Sequence, residues 1–416
     1  HGDLFRGLDN LEIIHLDNNR LRNIPQGLFR DNKQLQEIHL GVNFLNELPV
    51  NLLKGLHNLI SFSLTENQLV SPPQGLFRLP EDIFTDLDAL TDLDLSRNQL
   101  EVLPSFRNNR KLKKIYVYEN MLKELHSGTF RGADSLTELY LQDNKLESLP
   151  KGLFPNSEKL EKIQLTRNLL MELHADTFIE VTALKVLHLA DNKLEHLPAG
   201  LLRNNQQLEE IHLQQNILKE LHVDTFEKLD NLTVLYLSEN KLEMLPQGIF
   251  RNNRKLQTIY LDRNLLKELH VDTFSGLHDL ELLSLPVNKI KNLPQNLFLN
   301  NSKLRKIDLS ENLLNELHSD TFDGLVNLEL INLSKNKLTI LPQGLFYNNR
   351  NLKLIYLTDN IINIIETDFT HLLNLQILDL SENDCIDESF ESFTPRNFSL
   401  SYITEITDKF QTECSD

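Results

Sequence analysis

Leucines recur along the chain in the pattern L-x-x-L-x-L-x-x-N-x-L, as in LQEIHLGVNFL (35–45) and LTVLYLSENKL (232–242). The alternating L-x-L segment predicts a short strand whose leucines face one side, because side chains alternate along a strand. One unit of this length cannot bury its leucines alone, so the pattern predicts a solenoid in which each repeat packs against its neighbours. The repeats, nearly all 24 residues long, are centred on sixteen asparagines: Asn19, Asn43, Asn67, Asn98, Asn120, Asn144, Asn168, Asn192, Asn216, Asn240, Asn264, Asn288, Asn312, Asn336, Asn360 and Asn383.

These motif asparagines predict a buried polar ladder. We expect each amide side chain to turn inward and to bond backbone groups where the chain leaves the strand, since buried polar groups are almost always paired.

One repeat departs from the 24-residue length. Asn67 and Asn98 are 31 residues apart, and SPPQGLFRLPEDIF (71–84) reads as two copies of one loop. We expect the extra residues to bulge from the side or back of the solenoid, either as a drifted duplication or as a contact loop.

Two types of turn alternate after the asparagine, LPxGLFxNN as in LPQGIFRNN (245–253) and LHxDTF as in LHVDTF (221–226). Equivalent side chains two repeats apart are separated by about 10 Å, too far to share a zinc ion whose ligand nitrogens lie about 2.1 Å from the metal. We therefore predict that the aspartate caps its turn and the histidine bonds that aspartate or nearby backbone; a diffuse pH sensor is the alternative. The histidines of the second type are 48 residues apart, at His126, His174, His222, His270 and His318.

Composition narrows the classes of partner. The net charge of −18 argues against nucleic acid and anionic membranes, and no apolar run reaches the roughly 18 residues of a membrane span. The basic clusters at 107–114 and 251–255 are expected to balance local acids, with heparin binding as the alternative. The only cysteines, Cys385 and Cys414, stand in one terminal segment, which favours a local disulfide and an oxidising compartment; two free thiols are the alternative.

Motifs of catalysis and of cofactor binding are missing from the sequence. It contains no H-E-x-x-H, no G-x-S-x-G, no phosphate-binding glycine loop and no zinc-type cysteine pairs. We therefore predict a protein that is not an enzyme and that needs neither a cofactor nor a metal ion.

Over residues 4–384 the motif and its spacing resemble leucine-rich-repeat proteins of the typical 24-residue class. The repeat sequences are similar overall to those of insect secreted and Toll-like ectodomains and of the mosquito complement-associated family. The resemblance implies an α/β solenoid, a horseshoe with a parallel sheet on its concave face and loops with short helical turns on its convex face. It divides the chain into a solenoid of about 16 repeats (1–384), without an N-terminal cap, and a C-terminal cap with one disulfide (385–416). We expect a missing segment or a partner at the uncovered N-terminal end.

The cap is predicted to contain a helix over the last repeat, because apolar residues recur at helical spacing at Leu400, Ile403, Ile406 and Phe410.

We call the strand positions four residues before each motif asparagine the exposed column. Five of the eight tyrosines of the chain lie in it, and tyrosine and histidine are typical of recognition surfaces. Strand propensity and cross-strand stacking are the alternative explanation. The ligand-binding residues predicted on the concave face are Tyr116, Tyr118, Tyr140, His188, His212, Tyr236 and Tyr260.

We predict an extracellular recognition protein, secreted or the ectodomain of a receptor, that binds a protein or glycan partner, plausibly in innate immunity. A structural or adhesive matrix protein that self-assembles is one alternative, and an intracellular inhibitor of a target protein is another. Homo- or hetero-oligomers are compatible with each. An extracellular location makes glycosylation relevant, and N-x-S/T sequons stand at Asn231, Asn300, Asn332 and Asn397.

Overall fold

The computed structural model describes residues 2–70, 83–391 and 400–414. The chain divides into two compact units, His1–Leu208 and Glu209–Asp416. In the first unit, three-residue strands pair in parallel with their sequence neighbours and stay in register. These strands are β1 (Ile13–His15), β2 (Glu37–His39), β3 (Ser61–Ser63), β4 (Asp92–Asp94), β5 (Lys114–Tyr116), β6 (Glu138–Tyr140), β7 (Lys162–Gln164) and β8 (Val186–His188).

The second unit repeats the parallel arrangement and ends in a cap. Its strands are β9 (Glu210–His212), β10 (Val234–Tyr236), β11 (Thr258–Tyr260), β12 (Leu282–Ser284), β13 (Lys306–Asp308), β14 (Leu330–Asn332), β15 (Ile340–Leu341), β16 (Leu354–Tyr356), β17 (Ile364–Ile365), β18 (Ile377–Asp379) and β19 (Ser389–Glu391), and one helix follows, α1 (Leu400–Glu413). β15 and β17 form a separate parallel pair.

The solenoid predicted from the leucine pattern is confirmed. The middle residue of each three-residue parallel strand is buried and its two neighbours face solvent, so one side of the sheet covers the core and the other is open. Immediately before each motif asparagine the backbone turns left-handed, with φ between 51° and 59°. This left-handed conformation is sterically least favourable for β-branched residues, yet Val42 and Val287 both adopt it, with φ of 52° and 55°.

The motif asparagines form the buried ladder that the sequence predicts. Asn264 is typical: its Nδ2 donates to the carbonyls of Leu261 (3.1 Å) in its own repeat and Leu237 (2.9 Å) in the preceding one. Its Oδ1 accepts the backbone N–H of Leu242, 3.1 Å away. Asn264 therefore links two repeats through both ends of its amide, whereas the exposed Asn19 of the first repeat donates only to the carbonyls of Leu16 and Asp17 in its own repeat.

A second asparagine ladder was not predicted. It consists of the last asparagine of the LPxGLFxNN turns, for example Asn253, which is 1% exposed. Its Nδ2 donates to the carbonyls of Phe226 (3.0 Å) and Leu229 (3.1 Å) in the preceding LHxDTF turn, and its Oδ1 has no hydrogen-bond partner. The same two bonds and the same unpaired oxygen recur at Asn32, Asn109, Asn205, Asn301 and Asn349. In the LHxDTF turns this position holds an aliphatic residue such as Leu229.

Phenylalanines from successive turns form a third buried ladder behind the leucines. In the second unit, Phe274 and Phe298 stack with ring centroids 6.0 Å apart, and Phe322 and Phe346 stack at 5.7 Å. All four rings are fully buried. From Phe298 to Phe346, each turn thus contributes a ring that packs on the ring of the turn before it.

Two of the LHxDTF turns, those of His222 and His270, show the predicted role of the histidine. The backbone N–H of Asp272 donates to Nδ1 of His270 (3.1 Å), and the equivalent bond to His222 from Asp224 is 3.3 Å long. Nδ1 of each of these two histidines therefore accepts the backbone N–H of the residue two positions later and so stabilises its own turn.

The predicted capping role of the aspartate is wrong. Threonine closes the turn instead: Oγ1 of Thr177 accepts the backbone N–H of His174 at 3.0 Å. The carboxylate of Asp176 is exposed and accepts a hydrogen bond from Arg203 in the next repeat, 2.7 Å away. Threonine takes over because its hydroxyl lies three residues after the histidine, within reach of that N–H.

The C-terminal segment contains the helix that the apolar spacing predicts. Ile403, Ile406 and Phe410 of α1 are buried, and a disulfide joins Cys385 to Cys414. β19, which was not predicted, pairs antiparallel with β18 and covers the edge of the sheet. The domain boundary at 384/385 stays a prediction.

The long repeat keeps its place in the sheet, because β3 and β4 pair in the same register as their neighbours. The predicted bulge falls on residues 71–82, outside the described residues. Within the described part of the chain, no helix is long and apolar enough to cross a membrane.

Candidate recognition surface

The exposed column forms the last row of each parallel sheet. Apart from the separate pair β15 and β17, every parallel strand of either unit ends at one of its residues, and partners in neighbouring strands lie side by side, as Tyr236 and Tyr260 do. Apart from the exposed His15 at one edge, these residues are half-buried. Their side chains therefore stand on the open face of the sheet, supported by their neighbours.

In the first unit the predicted residues Tyr116 and Tyr140 come together. Their rings stack with centroids 4.8 Å apart and planes 14° from parallel. The ammonium of Lys162, from the next strand, lies over the Tyr140 ring, 5.3 Å from its centroid. Tyr118, outside the column, has the guanidinium of Arg97 over its ring at 5.9 Å. Both positions fit a cation–π contact.

Glu138 fixes the tyrosine pair from the row beside it. Its carboxylate accepts hydrogen bonds from Oη of Tyr140 (2.5 Å) and pairs with Lys114 (2.9 Å). Burial raises the pKa of Glu138, but the bonds from Tyr140 and Lys114 outweigh it, so the pKa is below its ordinary value. Burial, together with the bond to Glu138, raises the pKa of Tyr140, and burial also raises that of Tyr116. Both phenols therefore remain neutral hydrogen-bonding groups at physiological pH.

In the second unit three predicted residues form one continuous stack. His212 and Tyr236 lie 4.3 Å apart by ring centroids, and Tyr236 and Tyr260 lie 4.8 Å apart with planes 7° from parallel. The carboxylate of Glu210 is 2.6 Å from Nε2 of His212, whose side chain is 13% exposed. Gln214 is 3.4 Å from Nδ1. These contacts assign the proton to Nε2, because the carboxylate can only accept it.

His188, the last of the predicted ligand-binding residues, ends β8 in the first unit. Its role as a ligand-binding residue stays a prediction. Among the described residues, no three His, Cys, Asp or Glu side chains come together in a way that could hold a metal ion.

The predicted glycosylation sites differ in accessibility. Asn300 is exposed on a turn. Asn231 is half-buried, and its Oδ1 accepts a hydrogen bond from Lys255, 2.9 Å away. Asn332 lies in the exposed column, where its Oδ1 accepts the N–H of Ser334 at 3.1 Å. Asn397 lies outside the described residues. Occupancy of all four stays a prediction.

A charged groove of the second unit was missed by the sequence reasoning. Its volume is about 400 Å³, and at its centre Glu329 pairs with Arg305 (2.5 Å) and Lys353 (2.8 Å) from the two adjacent repeats. The bonds from Lys353 and Arg305 lower the pKa of Glu329. The signal in the sequence is the alternation of acid and base just before successive strands. The groove is lined by Glu281, Lys303, Arg305, Asn327, Glu329, Asn351 and Lys353.

Comparison with known families identifies the repeats. A family model described as leucine rich repeat matches residues 3–71, 104–146, 134–194, 182–242, 206–264 and 230–290. A second model, described as a BspA type leucine rich repeat region, matches residues 267–394. Together they extend from the first repeat into the segment that follows the last one.

Individual relatives share the architecture. A leucine-rich-repeat protein of Leptospira interrogans is 26% identical with a TM-score of 0.72, covering 99% of this chain and 96% of its own. A chain of the Toll–Spatzle complex from Drosophila is 27% identical with a TM-score of 0.73, over 92% of this chain and 48% of that one. Chaoptin of Tribolium castaneum is 42% identical over 55 residues, which are 13% of this chain and 7% of chaoptin. The chain therefore spans about half of the Toll-complex chain and a small part of chaoptin.

Proposed function

The chain belongs to the leucine-rich-repeat family, and from this premise we propose that it is an extracellular, non-enzymatic recognition protein. Its partner is a protein, bound on the open face of the sheet in the second unit. The observation that carries the proposal is the stack of His212, Tyr236 and Tyr260. Solenoid repeats commonly use such extended surfaces for binding, and clustered aromatic residues commonly dominate the binding energy of protein interfaces.

Other features support the extracellular part of the proposal. The disulfide between Cys385 and Cys414 is typical of an oxidising compartment. The similar chain in the Toll–Spatzle complex is part of an assembly described as a hub in Drosophila development and innate immunity. We include innate immunity in the proposal on that similarity.

The stack favours a protein over a glycan. Sugar rings pack on the faces of aromatic rings, but the faces between His212, Tyr236 and Tyr260 are covered by one another. Apart from the outer face of Tyr260, what these rings offer along the column is their edges and hydroxyls, which suit the mixed polar and apolar surface of a protein.

The test is capture of partners from the extracellular fluid of the source organism on immobilised protein, with quantification by mass spectrometry. We expect Tyr236→Ala with Tyr260→Ala to reduce capture at least about tenfold, because interface aromatics often contribute 2 kcal/mol or more each. The control is Tyr347→Ala, which removes a 60% exposed ring from a turn outside the sheet. Equal capture by both variants, with unchanged urea midpoints, would refute the proposed binding face.

A further inference from the structure

The aromatic stack of the second unit ends at Tyr260, whose second face has no ring contact and no cation–π contact among the described residues. Tyr260 packs on Tyr236 on one side, while on the other side its neighbour in the register is Ser284 of β12. Beyond Ser284 the same row continues with Asp308 of β13. Because adjacent strands are about 4.8 Å apart, Tyr260 and Asp308 are separated by about 9.6 Å with only a hydroxymethyl group between them. We call this gap the Ser284 notch.

The size of the notch suits one planar group. Tyr236 and Tyr260 stack at 4.8 Å, which matches the strand spacing. A flat group at the next position of the stack would lie about 4.8 Å from the Tyr260 ring and as far from Asp308. The column therefore provides a stacking position that no ring among the described residues fills.

The tyrosine stack of the first unit shows which chemistry completes such an end. There the face of Tyr140 is covered by the ammonium of Lys162, the first residue of the next strand, 5.3 Å from the ring centroid. The equivalent first residue of β12 is Leu282, which lies beside Thr258 in the register. The cation that covers the first stack is thus replaced by an uncharged side chain at the second.

Asp308 supplies an acceptor on the far side of the notch. Its Oδ1 accepts the backbone N–H of Ser310 (2.9 Å) and the Ser310 hydroxyl (2.7 Å), which fixes the carboxylate. Its Oδ2 makes no hydrogen bond to a described residue. The nearest bases in the register are Lys306, which lies beside Leu282 at the start of β13, and Arg263, which follows the end of β11. Among the described contacts, neither forms an ion pair with Asp308 or a cation–π contact with Tyr260.

We propose that the Ser284 notch binds an arginine side chain of a protein partner. The guanidinium stacks on the open face of Tyr260 and donates hydrogen bonds to Oδ2 of Asp308. Arginine fits better than lysine because its planar group both stacks on a ring and presents several donors in one plane. The inference rests on the proposed function, since it names the side chain that the sheet face recognises.

The test fills the notch from within the chain. Leu282→Lys places a lysine where Lys162 stands in the first unit, so its ammonium competes for the Tyr260 face. The probe is a fluorescein-labelled peptide of alternating arginine and glycine, titrated by fluorescence anisotropy against the same peptide with lysine for arginine. We expect wild type to prefer the arginine peptide, and Leu282→Lys to weaken its binding about tenfold, equivalent to about 1.4 kcal/mol.

Three variants separate this site from general charge effects. Leu354→Lys adds the same charge in the same row of β16, farther along the sheet, and should weaken binding less than about twofold, as expected for an exposed charge. Leu282→Met should bind as wild type does, which controls for the leucine itself. Tyr260→Ala with Asp308→Asn should lose the preference for arginine. Equal loss in Leu282→Lys and Leu354→Lys, or no preference for arginine in wild type, overturns the proposal.

The peptide assay and the capture assay can fail separately. A partner lost in Tyr236→Ala with Tyr260→Ala, together with no arginine preference, leaves the binding face standing and removes the notch. Arginine preference that disappears in Leu282→Lys, together with no captured partner, leaves the notch and removes the proposed function.

Discussion

The two asparagine ladders differ at the level of single atoms. In the motif ladder both ends of the amide are bonded, as Asn264 shows. In the second ladder only the Nδ2 atoms are bonded, and buried oxygens such as Oδ1 of Asn253 are unpaired. The side chain at this position therefore serves as a donor to two carbonyls, and a substitution can be judged by whether it still donates.

Asn253→Ala should lower the free energy of unfolding by about 2–3 kcal/mol, because it leaves two buried carbonyls without donors. Asn253→Asp should cost more at pH 7, where a charged carboxylate would face the carbonyls of Phe226 and Leu229. Burial raises the pKa of that aspartate in the folded state, so its cost is present at high pH and disappears below the unfolded pKa of about 4. Urea unfolding at pH 7 and pH 4 measures both effects.

The control is Asn252→Asp, at the exposed neighbouring position. It should change the urea midpoint little at either pH. If Asn253→Asp were as stable as wild type at pH 7, the donor role assigned to the second ladder would be wrong.

What the sequence could predict at this scale followed from periodicity. The motif asparagines were predictable because each stands at a fixed place after a strand, where backbone groups need partners. Asn253 was missed because its turn reads as a polar loop, and only the packed neighbouring turn shows that the residue is buried. The capping role given to aspartate failed for a related reason: local turn preferences favour it, but Arg203 of the next repeat draws Asp176 outward.

Among the secondary-structure elements, those of the cap were also predicted only in part from the sequence. The helix α1 was predictable from the spacing of Ile403, Ile406 and Phe410, because apolar residues on one helix face need a surface to cover. β19 was not, since its three residues carry no periodic signal and their pairing with β18 depends on the chain folding back. The sequence located the tyrosine rows, but the contact of Lys162 with Tyr140 depends on register between strands and appeared only in the structure.

The disulfide should hold this cap on the last repeats. Cys385→Ser with Cys414→Ser should destabilise the cap by about 3–4 kcal/mol in the chain-entropy model, for a separation of 29 residues. Because repeats contact mainly their neighbours, the loss should concentrate near the C-terminus. Hydrogen exchange would show it at the amide of Ile365, which donates to the Cys414 carbonyl.

The amide of Leu235, in the middle of β10, serves as the internal control and should keep its protection. Equal loss of protection at Leu235 and Ile365 would show that the disulfide acts on the whole second unit rather than on its end.

The molecule as a whole has a net charge of −18, but many of its acidic side chains are paired locally with basic ones. Acids pair with bases of the adjacent repeat, as Glu329 does with Arg305 and Lys353 and as Glu243 does with Lys267. These pairs lower the pKa values of Glu329 and Glu243. Stability from such carboxylates is present above the unfolded pKa and is lost as pH falls through the folded one.

The chain should therefore lose stability progressively between about pH 5 and pH 3. Glu329→Gln should flatten part of this decline, because its amide no longer binds a proton and its pairs with Arg305 and Lys353 are already lost at pH 7. The urea midpoint measured from pH 7 to pH 3 provides the comparison. Glu316→Gln, at an exposed glutamate without an ion pair to a described residue, is the matched control and should follow wild type. Parallel curves for Glu329→Gln and wild type would contradict this account.

The alternation of turns has a consequence for how such a chain grows and shrinks in evolution. The buried amide of Asn253 bonds only the LHxDTF turn before it, and Asn301 and Asn349 do the same one and two pairs further on. Gain or loss of a single 24-residue repeat would place two turns of the same type next to each other. Either the buried asparagine of one turn or the aliphatic residue at the same position of the other would then face the wrong type of turn. Gain or loss of a 48-residue pair recreates every junction unchanged. The heritable module of this protein is therefore the pair of repeats.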